Sequence, residues 1–361
     1  MQSSPPLSYE AFQQRRYVPA LDGLRALAIL GVLLHHTSGP TFDPFQGYRG
    51  VWVFFVLSGF LITTLALREE ARRGRLNIAA FMVRRVFRIL PLYYLTLAAY
   101  LVCTFVLGMG DNADRFRDYL LNYFFYVPEL PIFKYDFVIP FAQTWSLGIE
   151  EKFYLVWPLL AFGFLAGSRH RIAATLALLA TTATLTSLNT WLAQMWGSYT
   201  DILIGCLVAQ LLHRRAVYEM LSVVGRTGYA WATIAVLGIA TVTPGIGMQI
   251  GERVYSLVAA IALIALVTNE RGPAQVAGHG WLVAIGRWSY AIYLTHTLVI
   301  EAVKPLIPWG SVVGDFETLA VYVLIDFPFC WLLHTYFEKP LIAFGRKLVA
   351  PRQVAVAVAS D

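Results

Sequence analysis

The feature that most constrains this chain is a series of long apolar runs. Each run is close to the length that a helix needs to cross a hydrocarbon layer about 30 Å thick. Within lipid, backbone hydrogen bonds must be satisfied inside helices or closed barrels, and continuous apolar runs favour helices over barrel strands. We therefore predict an all-α integral membrane protein with about ten transmembrane helices. The predicted spans lie near residues 20–38, 51–67, 91–109, 147–166, 172–190, 198–212, 228–243, 254–268, 288–307 and 317–337.

Composition excludes the other broad classes of protein. The mean hydropathy is +0.59, and 14% of the residues are charged, against about 25% in soluble domains. These values exclude both a soluble globular enzyme and a disordered chain. The three cysteines, Cys103, Cys206 and Cys330, each fall inside an apolar run. We therefore predict neither a disulfide nor a metal site.

The domain organisation is predicted to be a single membrane unit with short tails. The sequence shows no internal repeat, low-complexity tract or second soluble domain. The predicted parts are a cytoplasmic N-terminal tail over residues 1–19, a transmembrane domain over 20–340 and a cytoplasmic C-terminal tail over 341–361. The first residues are polar and lack an apolar segment followed by a cleavage site, so no removable signal peptide is expected.

The distribution of basic residues predicts the orientation in the membrane. An even number of spans places both termini on one side, and taking that side as the cytoplasm puts 21 of the 28 basic residues there. This asymmetry follows the positive-inside rule. Runs 198–212 and 228–243 are short, so one of them is an alternative candidate for a re-entrant segment. The outside then carries a long loop over about residues 110–146, for which a lid or substrate platform and an inert connector both remain open.

Ionisable side chains inside a predicted span are functional candidates, because lipid penalises them. The first span contains Asp22, Arg25, His35 and His36. The spacing from Arg25 to His36 puts both on one helix face, separated along the axis by about 16 Å, whereas His35 lies about 80° off that face. A cation and a titratable imidazole on one face suit a long anionic ligand. The alternative is that Arg25 reaches the interface and pairs with Asp22.

Two further charged clusters lie at the ends of predicted spans. Arg84, Arg85 and Arg88 precede the third span. Because guanidinium groups bind phosphate bidentately, this cluster either holds a nucleotide pyrophosphate or marks the cytoplasmic side. Glu150 and Glu151 lie one turn into the fourth span, where adjacent carboxylates imply a water-filled cavity. Glu150 is predicted either to orient the imidazole of the first span or to pair with an arginine.

Signature motifs of several enzyme classes are absent from the sequence. It contains no Gly-x-Ser-x-Gly elbow, no His-Glu-x-x-His zinc pair, no Walker phosphate loop and no complete dinucleotide-binding fingerprint. Serine hydrolases, zinc proteases and nucleoside triphosphatases are therefore disfavoured.

Several motifs, taken in order along the chain, resemble the membrane-bound acyltransferase-3 family of bacterial O-acyltransferases. Each motif is weak alone, but five in order make a specific pattern that covers essentially the whole chain. The chain resembles the minimal form of the family, without an appended soluble domain. The motifs are Leu21-Asp22-Gly23-Leu24-Arg25 followed by His36; Gly50 to Ile62; Arg85-Val86-Phe87-Arg88-Ile89 with Pro91; Thr144-Trp145-Ser146-Leu147 with Glu150 to Tyr154; and Gly286 to Leu294 with His296 and Phe337-Glu338-Lys339-Pro340.

The resemblance implies an acyltransferase of the bacterial inner membrane. The implied donor is a cytoplasmic acyl-CoA, most often acetyl-CoA, and no cofactor is expected to remain bound. The implied acceptor is a hydroxyl of a carbohydrate, with exopolysaccharide, O-antigen and lipid-linked oligosaccharide among the alternatives. Membrane lipids and a polysaccharide assembly machinery are then expected partners, and nucleic acid is not. A small molecule such as a macrolide is the alternative acceptor.

Roles for individual residues follow from the resemblance. His36 is expected to act as a general base or as a transient acyl carrier. The other catalytic candidates are Arg25, Asp22 and Glu150. The expected donor-binding residues are Arg84, Arg85 and Arg88, and the expected substrate-binding residues are Ser58, Trp145, Glu151 and Tyr290.

Three positions depart from the family pattern. Trp52 stands where an acidic residue is common, Gly148 where serine is common and Lys152 where glutamine is common. The first and third departures are expected to alter acceptor recognition, while Arg25 and His36 are unchanged.

The main rival interpretation is a proton-coupled transporter or flippase. The same buried ionisable groups would then form a path for protons instead of a reaction centre. Turnover of acetyl-CoA that depends on an acceptor distinguishes the enzyme from the transporter.

Overall fold

The computed structural model describes residues 5–37, 39–110, 112–134, 139–165, 167–188, 192–243 and 249–350. Within these residues the chain is helical and contains no strand, which confirms the all-α prediction. The last residues of the predicted C-terminal tail, 351–361, lie outside the described part. The α-helices are α1 (Tyr9–Gln14), α2 (Pro19–His35), α3 (Gly50–Arg73), α4 (Ile78–Phe105), α5 (Ala113–Asp118), α6 (Leu120–Phe124), α7 (Glu129–Lys134), α8 (Trp145–Pro158), α9 (Ser168–Thr186), α10 (Ala193–Leu212), α11 (Arg215–Leu221), α12 (Thr227–Val242), α13 (Gln249–Val267), α14 (Pro273–Ala277), α15 (Gly280–Val303), α16 (Val312–Val321), α17 (Phe327–Leu332) and α18 (Lys339–Leu348).

Short π-helical segments extend or join some of these helices. α8 continues as the π-helix Leu159–Phe164. The π-helices Tyr322–Asp326 and Leu333–Glu338 join α16, α17 and α18 into one helical run. Pro328 and Pro340 lie inside this run, each just after a π-helical segment, where the regular hydrogen bonding that a proline would break is already interrupted.

Every predicted span falls on a helix of the structure. Run 198–212, which is short in the sequence, belongs to the 20-residue α10, and run 228–243 belongs to a pair of segments bent by 74°. Counting that bent pair, Arg215–Gly225 with Thr227–Val242, as one span gives a fifth candidate. The number of crossings and the side of the termini stay predictions. By length and composition, the segments able to cross a membrane among the described residues are Asp43–Arg73, Ile78–Phe105, Ala193–Leu212 and Val312–Leu348.

Close contacts between helix backbones hold the bundle together. Gly286 of α15 lies against the backbone of Asp22 in α2, and a Cβ at this glycine would overlap that carbonyl oxygen. Gly59 of α3 approaches the backbone of Ile202 in α10 in the same way. In lipid, small residues favour helix association because they let helices come close enough for dense packing. α2, which carries Arg25 and His36, is thereby held between α3 and α15.

The predicted long loop is partly helical, since it contains α5, α6 and α7. An ion pair anchors α7 to α8: Lys152 Nζ lies 2.6 Å from Glu129 Oε1, and the Glu129 side chain is 1% exposed. Gly148, one turn before Lys152, leaves room for this carboxylate, because a Cβ at that position would overlap Glu129 Oε2. Gly148 and Lys152, two of the three departures from the family pattern, therefore act together. With Glu129 they form a clamp that holds α7 of the loop against α8.

Candidate active site

A cavity of about 530 Å³ opens between the N-terminal segment and helices α2, α3, α4, α15 and α18. We call it the arginine cavity because positive side chains dominate its walls. Guanidinium forks bind phosphate bidentately, so such a cavity suits a polyanion. Its basic wall residues are Arg16, Arg25, Arg68, Arg85, Arg88, Arg287, Lys339 and Arg346, and its acidic ones are Asp22 and Glu338.

Two further cavities lie between the arginine cavity and His36, and each shares wall residues with the next. Arg25 and Tyr290 line both the arginine cavity and a small neck cavity of about 60 Å³. Val51 and Tyr293 line both the neck cavity and a larger histidine cavity of about 430 Å³. The neck cavity is also lined by Phe54, Ser146, Leu147, Glu150 and Ser289, and the histidine cavity by Val32, His35, His36, Tyr48, Trp52, Ala142, Gln143, Trp145 and Gln194.

His36 and Gln143 also line a fourth cavity of about 300 Å³, which we call the far cavity. α4 and α15 contribute their N-terminal parts to the arginine cavity and their C-terminal parts to the far cavity. α2 supplies Arg25 near its beginning and His36 at its C-terminal cap. The series of four cavities therefore follows three parallel helices through the bundle. The other polar wall residues of the far cavity are Tyr100, Thr104, Asn112, Thr297, Glu301 and Lys304.

The imidazole of His36 is oriented by its own helix. Nδ1 lies 2.8 Å from the carbonyl oxygen of Val32. A carbonyl only accepts hydrogen bonds, so this contact places the proton on Nδ1 and leaves the lone pair on Nε2. Nε2 is therefore the nitrogen that can act as a base or a nucleophile.

A second buried histidine packs against His36. The ring of His296 is edge-on to that of His36, with 4.8 Å between the ring centroids. His296 Nδ1 lies 2.9 Å from the carbonyl oxygen of Tyr293, so this imidazole also carries its proton on Nδ1. Among the described residues, its Nε2 has no hydrogen-bond partner, although the side chain is fully buried. The sequence contained His296 within a family motif but gave no reason to place it at the site.

A comparison with known protein families identifies the family of this chain. A family model described as an acyltransferase domain matches residues 18–335. The matched part includes Arg25, His36, Glu150 and His296. The chain belongs to this acyltransferase family.

Curated relatives of the acyltransferase carry related names. The protein named "Putative peptidoglycan O-acetyltransferase YrhL", from Bacillus subtilis (strain 168), is 30% identical over 366 residues, which cover 93% of this chain and 57% of the relative. "O-acetyltransferase OatA" from Staphylococcus aureus (strain NCTC 8325 / PS 47) is 32% identical over 157 residues, 42% of this chain and 26% of the relative. The chain thus spans little more than half the length of the first relative. No solved structure matches it.

The acyltransferase brings Arg85 and Arg88 together with Arg25 at the arginine cavity. Arg84, which was predicted to bind the donor with them, is placed elsewhere: it forms an ion pair of 2.6 Å with Glu69 of α3. It does not line the arginine cavity. Arg84 lies on nearly the same helix face as Arg88, one turn earlier, but its ion pair with Glu69 holds the guanidinium outside the cavity.

Asp22 lies at the arginine cavity, at the opposite end of α2 from His36. Its carboxylate accepts a hydrogen bond of 2.6 Å from the Tyr17 hydroxyl, and Arg287 Nε lies 3.7 Å away. Burial, and then the hydrogen bond to the carboxylate, raise the pKa of Tyr17, so its hydroxyl stays protonated as the donor. The structure therefore places the catalytic candidate Asp22 with Tyr17 and Arg287, remote from the imidazole of His36.

Glu150 shares the neck cavity with Arg25 and accepts a hydrogen bond of 3.1 Å from the Tyr154 hydroxyl. His36 does not line the neck cavity. Of the two predicted roles for Glu150, the structure thus favours the association with an arginine over the orientation of the imidazole. Backbone carbonyls, rather than a carboxylate, orient the imidazoles of His36 and His296.

The four predicted substrate-binding residues occupy different surroundings. Trp145 lines the histidine cavity, and Tyr290 lines the arginine and neck cavities while donating a hydrogen bond of 2.8 Å to the Ile89 carbonyl. Ser58 is buried in a hydrogen bond with the Tyr154 hydroxyl and lines none of the four cavities. Glu151 also lines none of them, since it follows Glu150 on another face of α8.

Proposed function

We propose that this acyltransferase transfers an acetyl group from cytoplasmic acetyl-CoA to a hydroxyl of a cell-surface carbohydrate. The observation that carries the proposal is the series of cavities that leads from the arginine cavity to His36. Coenzyme A has phosphates at one end and a thioester at the end of a long thin arm. The arginines would hold the phosphates, and the arm would extend past Arg25 toward the imidazole, about 16 Å further along α2.

In the proposed reaction, Nε2 of His36 accepts the proton of the acceptor hydroxyl. The acceptor oxygen attacks the carbonyl carbon of the thioester, the carbon–sulfur bond breaks, and the released thiolate takes the proton from His36. In the alternative order, Nε2 of His36 first carries the acyl group transiently and then passes it to the acceptor. The proton of the acceptor hydroxyl again ends on the released thiolate. Both orders need the neutral imidazole with its lone pair on Nε2, which the contact of Nδ1 with Val32 favours.

His296 is proposed to act through His36 as a positioning residue. The ring of His296 packs edge-on against the imidazole of His36 and so restricts that imidazole to one orientation. His296 itself lines none of the four cavities, so direct contact with substrate is not part of the proposal.

The proposal extends to the surroundings of the enzyme. The names of the relatives point to acetylation of a cell-wall glycan, with a lipid-linked oligosaccharide or a small molecule such as a macrolide as alternatives. The proposed location is the bacterial inner membrane, with about ten spans and both termini in the cytoplasm. Membrane lipids and a polysaccharide assembly machinery are the proposed neighbours.

Purified enzyme in liposomes, given radiolabelled acetyl-CoA, tests the proposal against the transporter interpretation. We expect thioester cleavage that accelerates when glycan acceptor is added and that disappears in His36→Ala. Proton-driven uptake of a substrate without any thioester cleavage would contradict the enzyme and support transport.

A further inference from the structure

The far cavity is the part of the series that the proposed donor does not need. A thioester that comes from the arginine cavity reaches His36 through the neck and histidine cavities. The far cavity shares His36 and Gln143 with the histidine cavity, and its walls include the C-terminal parts of α4 and α15, beyond the residues that line the arginine cavity. A second substrate can therefore reach the same nitrogen without crossing the path of the first.

The wall of the far cavity next to His36 is a fixed polar network. Gln143 Nε2 donates hydrogen bonds of 3.0 Å to the Tyr100 hydroxyl and 3.1 Å to the Leu294 carbonyl. The Tyr100 hydroxyl is in turn hydrogen-bonded to Thr297. These contacts join α4, the segment before α8, and α15, so the amide and the hydroxyls are held in place before any ligand arrives.

The charges of the far cavity differ from those of the arginine cavity. Among the described residues, its charged wall groups are the carboxylate of Glu301 and the ammonium group of Lys304, whose Nζ lies 3.8 Å from Glu301 Oε1. The remaining polar groups are amides and hydroxyls, and Phe141 adds an aromatic surface. A balanced, hydrogen-bonding pocket discriminates in favour of ligands with hydroxyl groups, whereas the guanidinium groups that match the phosphates of coenzyme A line the arginine cavity.

We propose that the far cavity is the acceptor subsite and that it takes a neutral carbohydrate. Its volume, about 300 Å³, is at the small end of ligand pockets, so it accommodates the end of a glycan rather than a long segment. Gln143, Tyr100 and Thr297 orient the sugar so that one hydroxyl points at Nε2 of His36. Glu301 binds further hydroxyls at the mouth. This inference rests on the proposed function and specifies its acceptor site.

A native cysteine provides the test. Cys103 is partly exposed and lines the far cavity, whereas Cys206 and Cys330 are fully buried. In purified full-length enzyme, N-ethylmaleimide should therefore label Cys103, which peptide mass spectrometry would verify. The alkyl group would occupy the acceptor subsite and leave the donor path open.

We expect labelled enzyme to lose at least tenfold in acetyl transfer to a neutral N-acetylhexosamine trisaccharide and to keep its slow hydrolysis of acetyl-CoA by water. Cys103→Ser should keep transfer after the same treatment. The trisaccharide should slow the labelling of Cys103, and coenzyme A should not. Protection by coenzyme A but not by the trisaccharide would overturn the inference, as would protection by neither.

A second variant does not depend on labelling. Glu301→Trp fills the mouth of the far cavity and should raise the KM for the trisaccharide at least tenfold, with the KM for acetyl-CoA unchanged. Glu317→Gln, at an exposed glutamate of α16 outside the cavity, is the control. Unchanged transfer in Glu301→Trp would overturn the acceptor subsite, whereas absence of acetyl-CoA cleavage in the unmodified enzyme would overturn the proposed function itself.

Discussion

At the scale of single residues, the site depends on an imidazole that the backbone orients. His36 stands at the C-terminal cap of α2, and its Nδ1 bonds to the carbonyl of Val32 one turn earlier. The same carbonyl also accepts the backbone N–H of His36 at 3.2 Å, and its second lone pair accepts the proton of the imidazole. His296 makes the same kind of contact with Tyr293 and Ile292. Two histidines of neighbouring helices thus present the same tautomer at one place.

His36→Ala should lower acetyl transfer by about 10²- to 10⁴-fold, the usual contribution of general acid–base catalysis. The matched control is His213→Ala, because His213 Nδ1 also bonds to a carbonyl four residues earlier, at 2.7 Å, yet lines none of the four cavities. Kinetics on purified protein and the amount inserted in the membrane would be measured for both. His35→Ala should retain much more activity than His36→Ala. Full transfer by His36→Ala would refute the assigned role.

Two substitutions of His296 distinguish the effect of an aromatic ring from the effect of side-chain volume. His296→Leu should reduce kcat about tenfold, equivalent to about 1.4 kcal/mol in the barrier, because the edge-on ring against His36 is lost. His296→Phe keeps a ring and should retain most of the activity. Both variants should keep the KM values for acetyl-CoA and acceptor, since His296 lines none of the four cavities. Equal kcat values in the two variants would argue against positioning.

At the scale of secondary-structure elements, the neighbouring arginines of α4 have two different roles. Arg84 reaches Glu69 and joins α4 to α3, whereas Arg85 and Arg88 line the arginine cavity. The ring of Tyr154, on α8, lies 5.2 Å from the guanidinium carbon of Arg85 and supports it from the side. One helix thus supplies both a structural ion pair and the proposed phosphate contacts.

Arg85→Lys and Arg88→Lys should each raise the KM for acetyl-CoA about tenfold and leave the KM for the acceptor unchanged. Lysine keeps the charge but not the bidentate fork, and hydrogen bonds to charged groups contribute about 1.5–3 kcal/mol. Arg84→Lys is the control within the same cluster and should leave both KM values unchanged. A change confined to the acceptor KM would show that these arginines bind the acceptor and not acetyl-CoA.

The clamp between α7 and α8 predicts a pattern in stability. Lys152→Gln introduces the residue common in the family but leaves the buried Glu129 carboxylate without its cation, which should destabilise the fold by about 3 kcal/mol. Thermal unfolding of detergent-purified protein should show a Tm lowered by several degrees. The double variant Lys152→Gln with Glu129→Gln should recover most of the loss. No coupling between the two substitutions would show that the ion pair does not anchor the loop.

At the scale of the whole molecule, parallel helices separate the two ends of the cavity series. α2, α4 and α15 run from the arginine cavity toward His36 and the far cavity. The described parts of the N-terminal segment and α18 line the arginine cavity, so that end belongs to the side of the termini. A donor and an acceptor can then approach His36 from opposite sides of the bundle.

Sealed membrane vesicles of known orientation test this sidedness. Labelling of an outward-facing acceptor should require acetyl-CoA at the face that carries the termini, since only that end has the arginine cavity. Vesicles of the opposite orientation provide the control. Equal labelling with the donor on either face would contradict the arrangement, and labelling of a soluble acceptor on the donor side would favour the small-molecule alternative.

The sequence by itself determined the helical membrane class, because apolar run length is a local property, and the family, because its motifs follow one another along the chain. It did not determine which neighbours complete the site. Arg84 and Arg88 are nearly equivalent in sequence, and only the position of Glu69 on α3 separates them.

Only the tertiary structure shows that His296 packs against His36, that Glu150 lines the neck cavity and that Gln143 is hydrogen-bonded to Tyr100. These contacts link residues that are far apart in the chain. They depend on how closely the helices approach, which packing at positions such as Gly286 decides and no local pattern records.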